Sequence, residues 1–274
     1  MGKLYLVGTP IGNLEDITLR AIRILKEVDA IAAEDTRRTG KLLQHLQIET
    51  PQISYHEHNQ DWRTSELIDR LQQGQQIALV TDAGMPSISD PGVELVKAAI
   101  ASNIPVVPIP GGTAAISALA ASGMPTERFT FEGFLPSKES ELQARLELLR
   151  TETKTVILYE APHRLLKTLT ELAAVLGRDR EIVLARELTK IHEEFWRGNI
   201  AEAIATYTNE RQPRGEYTLV LKGAAETSLI SSEAEIKREL QQLLDQGMTR
   251  SQASRQLAKL SSLSRREIYQ LNLD

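Results

Sequence analysis

Val80-Thr-Asp-Ala-Gly-Met-Pro-Ser-Ile-Ser-Asp-Pro-Gly92 is the stretch on which the reading of this chain turns. It leaves an apolar run, Ile77 to Val80, and precedes a helical pattern through Val93, Leu95, Val96, Ala99 and Ile100, so it reads as the loop at the exit of a buried strand. Connections of this kind usually take about 2–6 residues. This one carries two each of Gly, Pro, Asp and Ser, far more than a turn requires. Loops at strand C-termini are where open α/β sheets bind ligands, so the excess points to function.

The same unit recurs on both sides. Lys3 to Val7 is a short apolar strand with Gly8 to Asn13 as its exit loop, Ala30 to Ala33 runs into Glu34-Asp-Thr-Arg-Arg38, and Val106 to Ile109 leads to Pro110-Gly-Gly-Thr113. Helical patterns lie between them at Leu19, Ile22 and Leu25, at Leu42, Leu43 and Leu46, and at Leu67, Ile68 and Leu71, with a brief strand at Ile53 to Tyr55. This alternation predicts a largely parallel sheet with helices on its faces and four polar loops along one edge, forming a ligand crevice. Glycines there allow close backbone approach and prolines hold the loops in shape. Neither the G-x-G-x-x-G nor the Walker pattern is present, so a nucleotide held by a P-loop is not expected.

Around Ser122-Gly-Met-Pro125 the rhythm breaks. An aromatic strand with Phe129, Phe131 and Phe134 follows, then a helix from Glu139 to Arg150, a strand Val156 to Tyr159, a helix from Pro162 to Leu176, strands at Ile182 to Ala185 and around Glu193 to Arg197, a helix Ile200 to Thr208 and a closing strand Tyr217 to Leu221. Strands here often follow one another directly, which predicts a mixed sheet. From Ser232 the pattern becomes three short helices with capping boxes at Ser232 and Glu235, Thr249 and Gln252, and Ser264 and Glu267. Beyond Thr249 the cations Arg250, Arg255, Lys259, Arg265 and Arg266 face only Glu267 and Asp274, making a basic module of helix-turn-helix size. The expected organisation is an N-terminal α/β domain over 1–122, a mixed-sheet α/β domain over 123–226 and a helical module over 227–274.

With 41% hydrophobic and 25% charged residues the 274-residue chain is an ordinary globular composition. The absence of cysteine removes disulfides, thiolate zinc sites and thiol nucleophiles, and fits a reducing cytoplasm. No apolar run approaches about 18 residues, so no membrane span or membrane partner is expected. The net charge of −5 argues against the whole protein being a nonspecific polyanion binder, leaving local basic patches to dock nucleic acid. His56-Glu57-His58 places two imidazoles on one face of an extended segment, but without a third ligand it reads as a surface loop, and no metal is expected. Trp62 and Trp196 offer rings for stacking RNA bases, with core packing the plainer reading of Trp196.

LYLVGTPIGNLEDITLRAI, AEDTR, VTDAGMPSISDPG, PIPGGTAAISALAASGMP, FEGFLP, LYEAPHRL and ARELTKIHEEFWRG, in this order and spacing, resemble the tetrapyrrole methylase superfamily, and within it the branch that acts on small-subunit ribosomal RNA. The resemblance runs from about Lys3 to Leu271. It implies two α/β domains with S-adenosylmethionine in the cleft between them, a homodimer, and methylation of a ribose 2′-hydroxyl on a cytidine in the decoding region of 16S rRNA. It also implies cofactor contacts at Thr9 and Pro10, at Asp82, Gly84, Ser87 and Ile88, at Thr113 and Ala114, at Tyr159, Glu160 and Ala161, and near Ala185 and Gly215. Tetrapyrrole-modifying relatives carry Gly-Asp-Pro in the central loop, where this chain has Ala83-Gly84-Met85 and its acid two residues earlier, which leaves the contacts to the amino-acid end of the cofactor open.

A ribose hydroxyl is a poor nucleophile, so a positioned base would help. Glu34, Asp35, Asp82, His163, Glu187 and His192 are the candidates, with Glu34 or Asp35 ahead because two acids and two arginines share one loop end; each also has an ordinary reading as a helix-capping or surface residue. Within the 80–92 loop, Asp90 beside Pro91 reads as the cap of the following helix. Arg37, Arg38, Lys138, Arg164 and Lys190 are candidates for RNA phosphate. Two other readings stand beside this one: a methyltransferase of a tetrapyrrole or other small molecule, and a non-catalytic RNA-binding assembly factor that retains the cleft.

Overall fold

Short apolar strands joined by amphipathic helices bury both faces of a sheet only when the helices cross over it, which makes the strands parallel. The computed structural model, which describes residues 2–225, 233–258, 260–261 and 263–272, is built this way in its first half. In chain order β1 (Lys3–Val7), α1 (Leu19–Glu27), β2 (Ala30–Ala33), α2 (Thr36–His45), β3 (Gln52–Ser54), α3 (Gln60–Gln72), β4 (Gln76–Val80), α4 (Val93–Ala101), β5 (Val106–Ile109) and α5 (Ala114–Ser122) give one sheet of order β3-β2-β4-β1-β5. Every pairing in it is parallel. Successive strand residues alternate between two cores: Ile31, Ala33, Ala78 and Val80 pack with Ile24, Leu25 and Leu43 from α1 and α2, whereas Ala32, Ile77 and Leu79 pack with Leu67, Leu71 and Leu95 from α3 and α4. β1 and β4 are neighbours whose chains leave in opposite directions, toward β2 and β5, so the loops after them part at a topological switch point.

The second sheet comes from β6 (Phe129–Phe134), α6 (Glu139–Arg150), β7 (Thr155–Glu160), α7 (Leu165–Leu176), β8 (Glu181–Arg186), β9 (Glu194–Asn199), α8 (Ile200–Asn209) and β10 (Tyr217–Leu221), in the order β6-β7-β10-β8-β9. It is mixed, as its strand sequence predicts: β6 and β7 are parallel and the rest antiparallel. Leucines of α6 and α7 and Ile200 of α8 cover one face. The other face is covered by α5, whose Ala115, Ala118 and Leu119 lie on Ile157, Val183 and Val220. α5 leaves the first sheet and roofs the second, and its small residues permit the close approach. Residues 1–223 therefore form one compact unit holding both sheets.

Residues 224–274 form the other compact unit. There α9 (Glu233–Asp245), α10 (Arg250–Leu257) and α11 (Arg265–Gln270) close around Ile236, Leu240, Ala253, Leu257 and Ile268. The capping boxes at Thr249 with Gln252 and at Ser264 with Glu267 are both formed. The one expected at Ser232 lies outside the described residues, as do Lys259 and Asp274. Arg250 donates to the Tyr269 carbonyl at 2.9 Å, so one cation of the basic stretch ties α10 to α11.

One expectation fails. Asp90 does not cap α4, because the chain reaches that helix through Gly92 at φ +141°, and no side chain accepts from its first turn. A Cβ at Gly92 would stand 2.5 Å from Ser87 Oγ, so the loop is folded back too tightly for Asp90 to reach the helix end.

Loop packing at the edge of the first sheet is equally tight. A Cβ on Gly8 would lie 2.7 Å from both Gly111 Cα and Met85 Sδ, whereas one on Gly40, inside α2, would meet nothing nearer than Gln52 Nε2 at 3.4 Å. Gly8→Ala is expected to lower stability by about 1–3 kcal/mol through overpacking. Gly40→Ala is expected to raise it by up to about 1 kcal/mol through helix propensity. Urea unfolding midpoints at constant slope measure both.

Candidate active site

The site begins with two exit loops that hold each other. Thr9 N–H donates to the Gly84 carbonyl at 2.9 Å and Gly84 N–H to the Thr9 carbonyl at 3.1 Å, a two-way bridge between the ends of β1 and β4. The Thr9 hydroxyl is buried and donates to the Thr81 carbonyl at 3.1 Å. With Gly8 pressed on Gly111, the loops after β1, β4 and β5 form one edge. At its far end a Cβ on Gly12 would stand 2.5 Å from Lys190 Cγ, so the first loop also rests on the loop after β8 in the second sheet. Between these loops and the second sheet lies a cavity of about 430 Å³.

Gly84, Ile88, Thr113, Ala114, Tyr159, Glu160, Ala161 and Ala185 all line this cavity. Thr9, Pro10, Asp82, Ser87 and Gly215 do not. Thr9 and Asp82 bind neighbouring loops from behind, Ser87 lines an adjacent groove, and Gly215 lies against Glu187, whose Cγ would be 2.4 Å from an added Cβ. The wall also includes Ile11, Met85, Asp90, Phe134, Leu188, Tyr217 and Thr218, which the sequence reading did not single out as cofactor contacts. For Tyr217 and Thr218 the reason is topological. β10 runs antiparallel between β7 and β8, so its first residues pair with their last, Tyr217 with Glu160 and Arg186. A rule that inspects strand C-termini passes over a strand N-terminus delivered to the same edge.

The cavity lies within the range of about 300–1,000 Å³ usual for cofactor-sized ligands, and its make-up is that of such a site: aliphatic walls with a few placed polar groups. Ile88 and Phe134 are about half exposed, leaving apolar surface for a ligand to cover. Tyr159 is held edge-on by Phe131 and Phe134, and its hydroxyl accepts Ala115 N–H at 3.2 Å. Burial pushes its phenol above the ordinary range, so it stays neutral. The Glu160 carboxylate accepts Ala161 N–H at 2.8 Å and the Thr168 hydroxyl, so this side chain holds the turn that follows β7.

The candidate bases are engaged to different degrees. Glu34 Oε2 accepts the Thr81 hydroxyl at 2.6 Å and Asp82 N–H at 3.2 Å. Asp35 caps α2, accepting Arg37 N–H at 2.8 Å, and the Arg37 guanidinium holds its carboxyl well below the usual carboxylate range. Asp82 accepts Asp35 N–H at 3.2 Å and pairs with Arg38 at 3.0 Å; burial, with Glu34 nearby, raises its pKa. Burial would raise Glu187 as well, but the bonds from Lys190 and from Glu216 N–H outweigh it and leave its pKa lowered. His163 and His192 are exposed. Asp90 differs from all of these. It is half-buried on the cavity wall, and burial, reinforced by Glu34 and Asp82, pushes its carboxyl up to about 6 against the softening effect of the Thr81 hydroxyl.

The candidate phosphate ligands are all engaged within the protein: Arg37 with Asp35 at 2.7 Å, Arg38 with Asp82, Lys138 with Glu141 at 2.9 Å, Arg164 with the Leu135 carbonyl at 2.8 Å, and Lys190 with Glu187 and Glu216 at 2.8 and 2.9 Å. Arg37 and Arg38 remain 88% and 70% exposed, so a phosphate could still meet them. Trp62 projects from the first turn of α3 with the Arg63 guanidinium 4.0 Å above its ring, and Trp196 packs against the core of the second sheet. Among the described residues no three metal-ligating side chains converge, the His56 and His58 rings meeting only edge to face.

The sequence profile of the Tetrapyrrole (Corrin/Porphyrin) Methylases matches residues 3–204. The chain is 59% identical to the ribosomal RNA small subunit methyltransferase I of Synechocystis sp., over all of this chain and 98% of that one. It is 48% identical to the protein of that name from Bacillus subtilis, over 98% and 93% of the two chains. Among solved structures it is similar to the methyltransferase CobJ, with a TM-score of 0.62 at 18% identity over 82% of this chain and 95% of that one. It is also similar to a Thermus thermophilus uroporphyrin-III C-methyltransferase complexed with S-adenosylhomocysteine, with a TM-score of 0.55 at 21% identity over 81% and 97%.

The raised Asp90 has a consequence for stability. Its carboxyl titrates near 6 in the folded chain against 3.8 for the unperturbed group, so the folded state binds this proton more tightly and loses stability as pH rises from about 4 through 6. Asp90→Asn removes the charge and is expected to stabilise the protein at pH 7 by about 1 kcal/mol, the full linkage value being reduced by solvent at a half-buried position. Thermal melts at pH 7 and pH 5 measure this, with a smaller gain expected at pH 5.

Proposed function

The chain belongs to the tetrapyrrole (corrin/porphyrin) methylase family, and from that premise we propose that it is an S-adenosylmethionine-dependent methyltransferase acting on the ribose 2′-hydroxyl of a cytidine in the decoding region of 16S ribosomal RNA. The observation that carries this reading is the extent of the likeness. The family profile ends at residue 204 and CobJ covers 82% of the chain, whereas the relative from Synechocystis, named for ribosomal RNA, covers all of it, the C-terminal helical unit with its basic stretch beyond Thr249 included. A small-molecule methylase has no evident use for that unit; an enzyme that docks on a ribonucleoprotein does. We further read the protein as a cytoplasmic homodimer working on the assembled small subunit.

Gly84, Ile88, Thr113, Ala114, Tyr159 and Thr218 would hold the cofactor. Bound there, it supplies a methyl group on a sulfonium. The protein contributes position: transfer to an oxygen needs nucleophile, methyl carbon and sulfur in line, and fixing two reactants in geometry supplies much of such an acceleration. The apolar walls exclude water that would compete as acceptor. Arg37 and Arg38, exposed at the start of α2, would meet RNA phosphate without reading bases, a role that their exposure supports.

Purified protein with labelled S-adenosylmethionine and assembled small subunits is expected to yield 2′-O-methylcytidine in 16S RNA, identified by nuclease digestion and mass spectrometry. Label in a tetrapyrrole with RNA untouched would overturn the reading, and cofactor binding with transfer to neither would favour an assembly factor. Ala185 is buried on the cavity wall, so Ala185→Phe is expected to weaken S-adenosylhomocysteine binding at least tenfold by calorimetry.

A further inference from the structure

Beside the main cavity runs an open groove of about 420 Å³ whose walls include Glu57, Gln60, Ser87, Gly92 and Glu94. Asp90 belongs to both: it lines the cavity on one side and the groove on the other. The loop is held in this shape by unusual backbone. Ser87 and Ser89 are left-handed at φ 71° and 62°, Ser87 N–H donates to the Pro91 carbonyl at 3.3 Å, and Gly92 lies against Ser87 Oγ. Left-handed non-glycine residues cost energy and gather where a site requires them. The Ser87 hydroxyl is buried with no hydrogen-bond partner among the described residues, packed inside the loop against Gly92, a further cost that the loop carries in keeping this shape.

We propose that the nucleotide to be methylated enters through this groove and that Asp90, standing where the groove meets the cofactor cavity, accepts the proton of its hydroxyl. The proposal deepens the ribose-methylation reading and rests on it. The 2′-oxygen forms its bond to the methyl carbon of the sulfonium donor as the carbon–sulfur bond breaks, the electron pair stays on sulfur, and the hydroxyl proton passes to the Asp90 carboxylate. The groove's own acids suit a neutral sugar edge better than a phosphate.

The surroundings fit this role. Glu34 and Asp82 face Asp90 from the ends of β2 and β4, with Arg38 paired to Asp82. The Thr81 hydroxyl is beside it, Tyr159 lies across the cavity, Lys190 and Glu216 stand on the second-sheet wall, and Glu57 and Glu94 on the groove. Burial, reinforced by Glu34 and Asp82, makes Asp90 basic enough to take a proton while leaving it ionised at neutral pH, where a base is most effective. Glu34, Asp35 and Asp82, by contrast, already bind backbone and hydroxyl donors.

The test compares wild type, Asp90→Asn and Asp90→Glu on assembled small subunits at saturating cofactor. Asp90→Asn is expected to lower kcat by about 10²–10⁴-fold. The wild-type rate should rise with pH through a limb near 6 that the Asn variant lacks, and Asp90→Glu should keep the limb with reduced rate. In the protein without cofactor, carbon-13 NMR should show a carboxyl titrating near 6 that is missing from Asp90→Asn, which checks the group independently of turnover. Circular dichroism and S-adenosylhomocysteine binding separate a misfolded variant from an inactive one. An Asn variant within threefold of wild type, or one that keeps the limb, overturns the assignment while leaving ribose methylation standing. A wild type that transfers no methyl to the subunit overturns both.

Discussion

Two backbone hydrogen bonds, exchanged between Thr9 and Gly84, organise this molecule. They join loops that the sheet's topology sends in opposite directions, and they do so with main-chain groups that no side-chain substitution removes. Around that junction Gly8 and Gly111 meet at backbone distance, and Gly12 lets the first loop settle on the Lys190 stem. The glycines of these loops serve contacts of the protein with itself. Their tightness leaves the loops little room to shift relative to one another.

The acids show how one loop cluster divides its labour. Glu34, Asp35 and Asp82 satisfy N–H and hydroxyl donors and fasten the end of β2 to the end of β4. Glu34 and Asp82 thereby place negative charge near Asp90, which is itself half-buried on the cavity wall. The energetic cost of leaving Asp90 ionised is borne by the rigid network around it, and perturbed carboxyls of this kind gather at functional sites.

Much of the fold was legible because hydrophobic period and turn chemistry agree along the chain: parallel first sheet, mixed second sheet and two formed capping boxes all follow from local pattern. What local pattern does not carry is insertion. Nothing near Tyr217 says that the last strand slips between β7 and β8, and this placement brings Tyr217 and Thr218 into the cavity. Asp90 was misread for a related reason. Asp-Pro-Gly before a helical pattern fits a cap in one dimension, while the left-handed turns at Ser87 and Ser89 that redirect it leave no mark in residue type. The cavity residues that were anticipated came from motif resemblance and from strand ends, and those that were not came from a strand beginning and from the folded-back loop.

The central place of β10 also sets a schedule. The cavity's wall is complete only when a strand near residue 220 has displaced water between two strands that left the ribosome some 35 and 60 residues earlier. β10 follows every other strand of both sheets in the chain, so its pairings with β7 and β8 are the last that synthesis makes available. A nascent protein therefore holds a finished first sheet while the pocket is still open on one side, and cofactor can lend its binding energy to the fold only after that last strand docks.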